Sequence, residues 1–168
     1  MSRTPCARAT AALLACAVLT GLAGCGGDAD RPRRAGTLLD RTDDEGHRYR
    51  QVRGEGAPEV AVVVQPDADP ARGWYLRVRV RHFRLSPAGT PAVAVRGRGY
   101  VQLSLDGHRL SRLRGAAYRL PAARLSRGTH HVTARLHADD HTVWAVEGKP
   151  VEATADLTAS GAEAAPVG

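Results

Sequence analysis

Residues 74–81 read Trp74-Tyr75-Leu76-Arg77-Val78-Arg79-Val80-Arg81. Trp74, Leu76, Val78 and Val80 fall at every second position, and Tyr75, Arg77, Arg79 and Arg81 fill the gaps. Side chains of a β-strand alternate between its two faces, so this stretch is a strand half-buried against a second layer, with its arginines turned outward. The run continues to Leu85, which gives an expected strand over 74–85.

Working outward, the same pattern recurs between turn signals at intervals of about ten residues. Upstream, Val60 to Val64 ends at Pro66-Asp67. Downstream, Tyr100 to Leu105 places Val101, Leu103 and Leu105 inward, and Asp106-Gly107 supplies the positive φ angles of a two-residue hairpin turn into His108 to Leu113. Further strands are expected at Tyr118 to Leu120, stopped by Pro121; at His130 to Leu136, with Val132, Ala134 and Leu136 inward; at Thr142 to Val146, before a Glu147-Gly148 turn; and at Val151 to Leu157. No segment after Pro58 offers three turns of apolar residues at helical spacing. The fold expected is all-β: an immunoglobulin-like antiparallel β-sandwich of about seven to nine strands over residues 58–158.

Ahead of the sandwich the chain changes character twice. Arg3 and Arg8 precede an uncharged apolar stretch from Ala9 to Ala23, the layout of a signal peptide. That stretch is shorter than the roughly 20 strongly apolar residues a spanning helix needs. It closes on Leu22-Ala23-Gly24-Cys25, which resembles the bacterial lipobox, whose cysteine is lipidated before cleavage. Residues 1–24 are therefore read as an export signal, and Cys25 as the lipidated first residue of the mature chain, anchored on the extracytoplasmic face of a cell membrane. The other cysteines, Cys6 and Cys16, leave with the signal, so no disulfide framework remains and stability must come from a packed core. Residues 25–57 are polar and mixed in charge and read as a flexible tether, whose last part near Tyr49 and Val52 could add an edge to the domain. Residues 159–168 read as a frayed tail.

Within 58–158 several short segments follow in order: Gly73-Trp74-x-Leu76, Phe83-Arg84-x-Ser86-Pro87, Gly97-x-Gly99, Leu103-x-Leu105-Asp106-Gly107, Arg112-Leu113-x-Gly115, Leu120-Pro121, Gly128-x-His130 and Ala138-x-Asp140-His141. This succession resembles a family of secreted or lipid-anchored prokaryotic domains of unassigned function. The resemblance implies a β-sandwich outside the cytoplasm and little about activity. It also implies a His-x-His after the glycine pair, with more histidines on neighbouring strands, a geometry suited to copper or zinc. Here those two positions are Tyr100 and Gln102, and others associated with the cluster are Arg77 and Arg119. A guanidinium has no lone pair for a metal. That site reads as dismantled, and Arg77, Tyr100, Gln102 and Arg119 become a candidate face for an anion or a sugar.

The remaining candidates are histidines. His137 and His141 have the i, i+4 spacing that pairs ligands on a helix, with Asp140 beside them, but a strand running into a turn does not align such side chains. His141 and Asp140 are expected to satisfy loop backbone groups, and His131 to lie on a solvated face. A metal-handling protein would need His108, His137 and His141 to converge. No metal and no cofactor is expected.

Charge is +7 at pH 7, from 24 basic and 17 acidic residues, and Lys149 is the only lysine. Such an arginine excess, beside so much Ala and Gly, matches GC-rich coding and is no evidence of nucleic-acid binding, which also wants interleaved aromatics; these are 4% of the chain. Arg31, Arg33 and Arg34 sit where a lipid anchor would bring them near anionic headgroups or wall polymers. No Gly-x-Ser-x-Gly elbow, phosphate loop or zinc-protease helix is present, and no enzyme is expected. The function expected is a non-catalytic binding or structural module, monomeric, with a protein or cell-envelope polymer as partner. Replacing Cys25 by Ser should move the protein from the membrane fraction to the soluble exported fraction, and intact mass should lose the lipid; an unmodified N-terminus upstream of Cys25 on the native protein would refute the anchor.

Overall fold

The computed structural model describes residues 35–160. The expected signal peptide, Cys25, the first part of the tether and the tail from residue 161 lie outside them. In chain order the strands are β1 (Thr37–Thr42), β2 (Arg48–Val52), β3 (Glu59–Pro66), β4 (Trp74–Arg81), β5 (Arg84–Leu85), β6 (Arg98–Leu105), β7 (His108–Leu113), β8 (Ala117–Leu120), β9 (Gly128–His137), β10 (Val143–Val146), β11 (Lys149–Pro150) and β12 (Glu152–Ala159). Among the described residues the only helical turns are 3₁₀, at Pro70–Arg72 and Ala122–Arg124.

The protein is all-β, with a curled, mixed, nine-stranded sheet shaped like half a barrel and a small antiparallel sheet of three. The large sheet runs β1-β2-β10-β9-β6-β5, with β11 on β10, β12 on β9 and β7 on β6. The small sheet runs β3-β4-β8. Its register places Val60 opposite Val80, Val62 opposite Val78 and Val64 opposite Leu76, so the alternation in 74–81 does send one apolar row to a single face. That row meets Val101, Leu103, Val132, Ala134, Leu136 and Trp144 of the large sheet in one buried cluster.

Both tight hairpins have the chemistry their sequences announce. Asp106 and Gly107 take φ of 50 and 80, and Glu147 and Gly148 take φ of 51 and 74, as a two-residue turn between right-twisted strands demands. Two expectations about the strands need correction. The strand beginning at Trp74 ends at Arg81 rather than Leu85, because His82 at φ 51 turns the chain out of the small sheet. Arg84 and Leu85 then join the large sheet alongside β6 in parallel, donating from Arg84 to the Gly97 carbonyl at 2.7 Å. The arrangement is also not wholly antiparallel, since β2 pairs with β10 in parallel from Tyr49–Val143 to Val52–Val146.

That second parallel pair overturns the tether over its last part. Residues 37–42 and 48–52 are strands of the large sheet, and β2 is interior, bonded to β1 on one side and β10 on the other. Burying Val52 at 2% exposure, and Tyr49 on the opposite face, supplies the driving force that a mixed-charge sequence conceals. At the other end β12 continues through Thr158 and Ala159, so the frayed tail does not begin at 159.

Gly99 shows how closely the layers are assembled. It sits at φ 147, and a Cβ there would lie 1.8 Å from the His137 carbonyl oxygen. Gly99→Ala should therefore lower stability by more than Leu103→Ala, for which loss of a fully buried side chain predicts about 2–5 kcal/mol. Urea denaturation of the two variants tests the order.

Candidate functional site

On strand β9 the residues between the core positions are Thr133, Arg135 and His137, and on β6 they are Tyr100, Gln102 and Ser104. Registration pairs Tyr100 with His137, Gln102 with Arg135 and Ser104 with Thr133, so six polar or amphipathic side chains share the face of the large sheet turned away from the core. Next to them on that face, Tyr49, Val143 and Ala145 make a small second apolar cluster with Leu39. The face is consequently not an ordinary solvated one. Tyr100 is 1% exposed, His137 1% and Gln102 5%.

The cover comes from the β1–β2 connection. Asp43 begins a tight turn in which its own amide donates to the His47 carbonyl, and the amides of Glu45 and His47 donate to its carboxylate at 3.0 and 2.8 Å. Charges fasten this strap to the sheet: Asp43 pairs with Arg135 at 3.2 Å, and Glu45 pairs with Arg109 of β7. His47 stands edge-on over His137, with ring centroids 5.1 Å apart. Between strap and sheet lies a cavity of about 100 Å³, floored by Gln102, Ser104, Arg135 and His137 and roofed by Asp43 to Glu45.

Protonation states follow from these neighbours. Burial pushes the His137 imidazole down to about 4, so the ring is neutral at physiological pH. Its Nδ1–H donates to the His141 carbonyl at 3.3 Å. Burial likewise raises Tyr100, whose ring stacks on His137 at 5.2 Å with the Arg112 guanidinium 4.4 Å from its centre on the face. Its hydroxyl is 3.0 Å from Nδ1 of His141, which burial, and then Arg112, hold below the usual imidazole value. For Asp43, burial alone would raise the pKa, but hydrogen bonds from the His47 backbone and ring bring it below the usual value. Arg109 does the same for Glu45. Burial works against charge on Arg135, yet bonding to Glu152 at 2.7 Å holds its pKa up.

The structure divides the residues that sequence parity grouped. Tyr100 and Gln102 lie on the covered face of the large sheet, whereas Arg77 and Arg119 lie exposed on the outer face of the small one. One apolar core separates the pairs, so the four are not a single ligand face. The histidine set does not converge either. His108 opens β7 opposite Leu105, roughly 17 Å along β6 from the Tyr100–His137 pair. His141 occupies a turn at φ 68 against Tyr100. Asp140 holds the same turn by accepting from Thr142, and pairs with Arg50 at 2.7 Å. Among the described residues no three such side chains are placed to hold a metal ion.

His47, Asp43, Glu45 and Arg135 belong to the site without having been singled out from sequence. Arg135 could have been found, since it shares parity with His137. The other three fall in the stretch read as tether, where only the buried Tyr49 and Val52 hinted at order. The chain matches no family model, no curated protein and no solved structure.

The neutral His137 has a consequence for acid stability. The unfolded ring titrates near 6.5, so between that value and about 4 unfolding takes up a proton and stability falls with pH, by on the order of 3 kcal/mol over the window. His130 does not mask this: its hydrogen bond to Asp106, then the Ser126 carbonyl, raise its pKa, so its contribution is complete below 6.5 and fades only above. The lowered carboxylates Asp43, Glu45 and Asp106 lose theirs only as pH falls through those depressed values. Urea midpoints should thus decline between pH 6.5 and about 4, with His141, also held below the usual imidazole value, adding in the same direction, and His137→Gln should make the slope clearly shallower; an unaltered slope would place its origin elsewhere.

Proposed function

We propose that this chain is an exported lipoprotein, anchored through Cys25, whose domain is a non-catalytic module that binds an anionic polymer or anionic sugar of the cell envelope through the outer face of the small sheet. In this reading the domain is a variant of the immunoglobulin-like sandwich, with strands β1 and β2 added to one layer. The prokaryotic secreted family that the sequence resembles is compatible with that placement.

One observation carries the proposal. Arg77, Arg79 and Arg81 follow at alternate positions along β4, and Arg119 stands on the adjacent β8 opposite Tyr75. Alternate residues of a strand are about 7 Å apart, so these arginines form a row along one exposed face of β4. Among the described residues Arg77 and Arg79 have no acidic partner, and Arg81 reaches Glu59 only at 3.8 Å. Arg119 contacts the exposed Tyr75 and approaches Asp67 at 3.6 Å. Like charges set side by side without counter-charges repel one another, and an anion that takes up their bidentate donors relieves the repulsion. Elsewhere on the domain Arg50, Arg109, Arg114 and Arg135 are each tied to a carboxylate. Arg53, Arg84, Arg124 and Arg127 likewise have no carboxylate partner among the described residues, so what distinguishes this face is the close row of arginines along one strand.

Retention on immobilised heparin and polyphosphate, with neutral dextran as control, tests the reading. The double variant Arg77→Gln/Arg79→Gln should bind the polyanions at least about tenfold more weakly and with a shallower salt dependence. Equal retention of wild type and variant would reject the face.

A further inference from the structure

Two side chains that line the cavity under the strap, His137 and Gln102, each have one acceptor atom with no hydrogen-bond partner among the described residues. Because Nδ1–H of His137 is spent on the His141 carbonyl, Nε2 carries a lone pair. Gln102 donates its amide nitrogen to the carbonyls of Leu103 at 3.0 Å and Ser111 at 3.2 Å, which fixes the amide's orientation and leaves Oε1 as acceptor. Both side chains are more than nine-tenths buried and both line the cavity. Donors stand beside them. Arg135 uses Nε on Glu152 and Nη1 on Asp43, leaving Nη2, and Ser104 adds a hydroxyl.

Each hydroxyl group can donate and accept at once, so a wall that sets acceptors next to donors is met by adjacent hydroxyls better than by a pure anion or a pure cation. The roof also disfavours anions, since it consists of Asp43, Asp44 and Glu45. A volume of about 100 Å³ accommodates about three water-sized groups. A ligand whose hydroxyls reproduce the hydrogen bonds of displaced waters keeps their enthalpy and binds without a polar penalty.

We propose that this cavity binds a vicinal polyol, a three-carbon unit or the equivalent edge of a sugar, through its hydroxyls, with Gln102 and His137 accepting and Arg135 and Ser104 donating. The 43–47 strap closes over it and is held shut by the Asp43–Arg135 and Glu45–Arg109 pairs. The proposal is independent of the arginine face, from which the core separates it.

Glycerol titrated into the full-length protein, with the His137 ring nitrogens followed by NMR, provides the test. A saturable shift of Nε2 is expected, at millimolar concentrations as befits so small a ligand. Propan-1-ol should produce no saturable shift, and Gln102→Leu and Ser104→Ala should each weaken glycerol binding by about tenfold. Two substitutions are used so that a folding defect in one leaves the other decisive. The Arg77→Gln/Arg79→Gln chain should bind glycerol like wild type, which separates this site from the polyanion face. A linear response to glycerol, an equal response to propan-1-ol, unchanged affinity in both cavity variants, or a tighter saturable shift produced by zinc chloride would each overturn the proposal.

Discussion

Strand β9 must satisfy backbone partners on both sides along its length, and the rest of the domain is arranged around that requirement. Residues 128–135 pair with β12 on one edge, while 132–137 pair with β6 on the other, and Val143 of β10 continues the ladder at His137. A strand bonded on both edges cannot rotate, so its two rows of side chains are fixed to opposite sides. Val132, Ala134 and Leu136 must enter the core shared with the small sheet. Thr133, Arg135 and His137 must then face the other way, where the curl of the sheet and the β1–β2 strap cover them. The cavity is thus a by-product of the same alternation that builds the core.

This explains which parts were legible. Alternation and turn chemistry are local, and they placed β4, β6, β7, β9 and both tight hairpins within a few residues. Parity along a strand also put Tyr100 and Gln102 on one face correctly. Parity says which side of its own sheet a residue occupies, however, and nothing about which sheet the strand joins. Arg77 and Arg119 share a parity class with each other across β4 and β8, but their sheet lies on the opposite side of the core from β6. Pairing partners distant in sequence were invisible for a related reason. The β2–β10 contact joins residues 49–52 to 143–146 in parallel, a pairing that no hairpin signal encodes. Without it, 37–52 has only a mixed-charge composition and reads as tether.

Charge on the domain is partitioned by structural task. Several arginines act as fasteners inside the fold. Arg114 ties the 86–87 loop to Asp139 and the buried Ser86, whose hydroxyl donates to the same carboxylate at 2.6 Å. Arg50 clamps β2 to the Asp140 turn. The described residues contain no cysteine, and such charge-assisted bonds do there the loop-closing work that disulfides do elsewhere. The arginines of β4 instead lie on the exposed face of the small sheet, where only Arg81 approaches a carboxylate, that of Glu59 on β3.

The covered polar face poses the converse question. A domain selected for stability alone would place apolar side chains at positions as buried as Gln102 and His137, because interior polar groups repay their desolvation only when every donor and acceptor is met. Neighbouring Val143 and Ala145 on the same face show that apolar packing under this part of the sheet is feasible. Gln102 is half satisfied, and His137 is kept neutral at the expense of acid stability. The strap above them is fastened by ion pairs from Asp43 to Arg135 of β9 and from Glu45 to Arg109 of β7. An incompletely satisfied polar floor beneath such a cover is a cost in stability that the packing of this face does not by itself require.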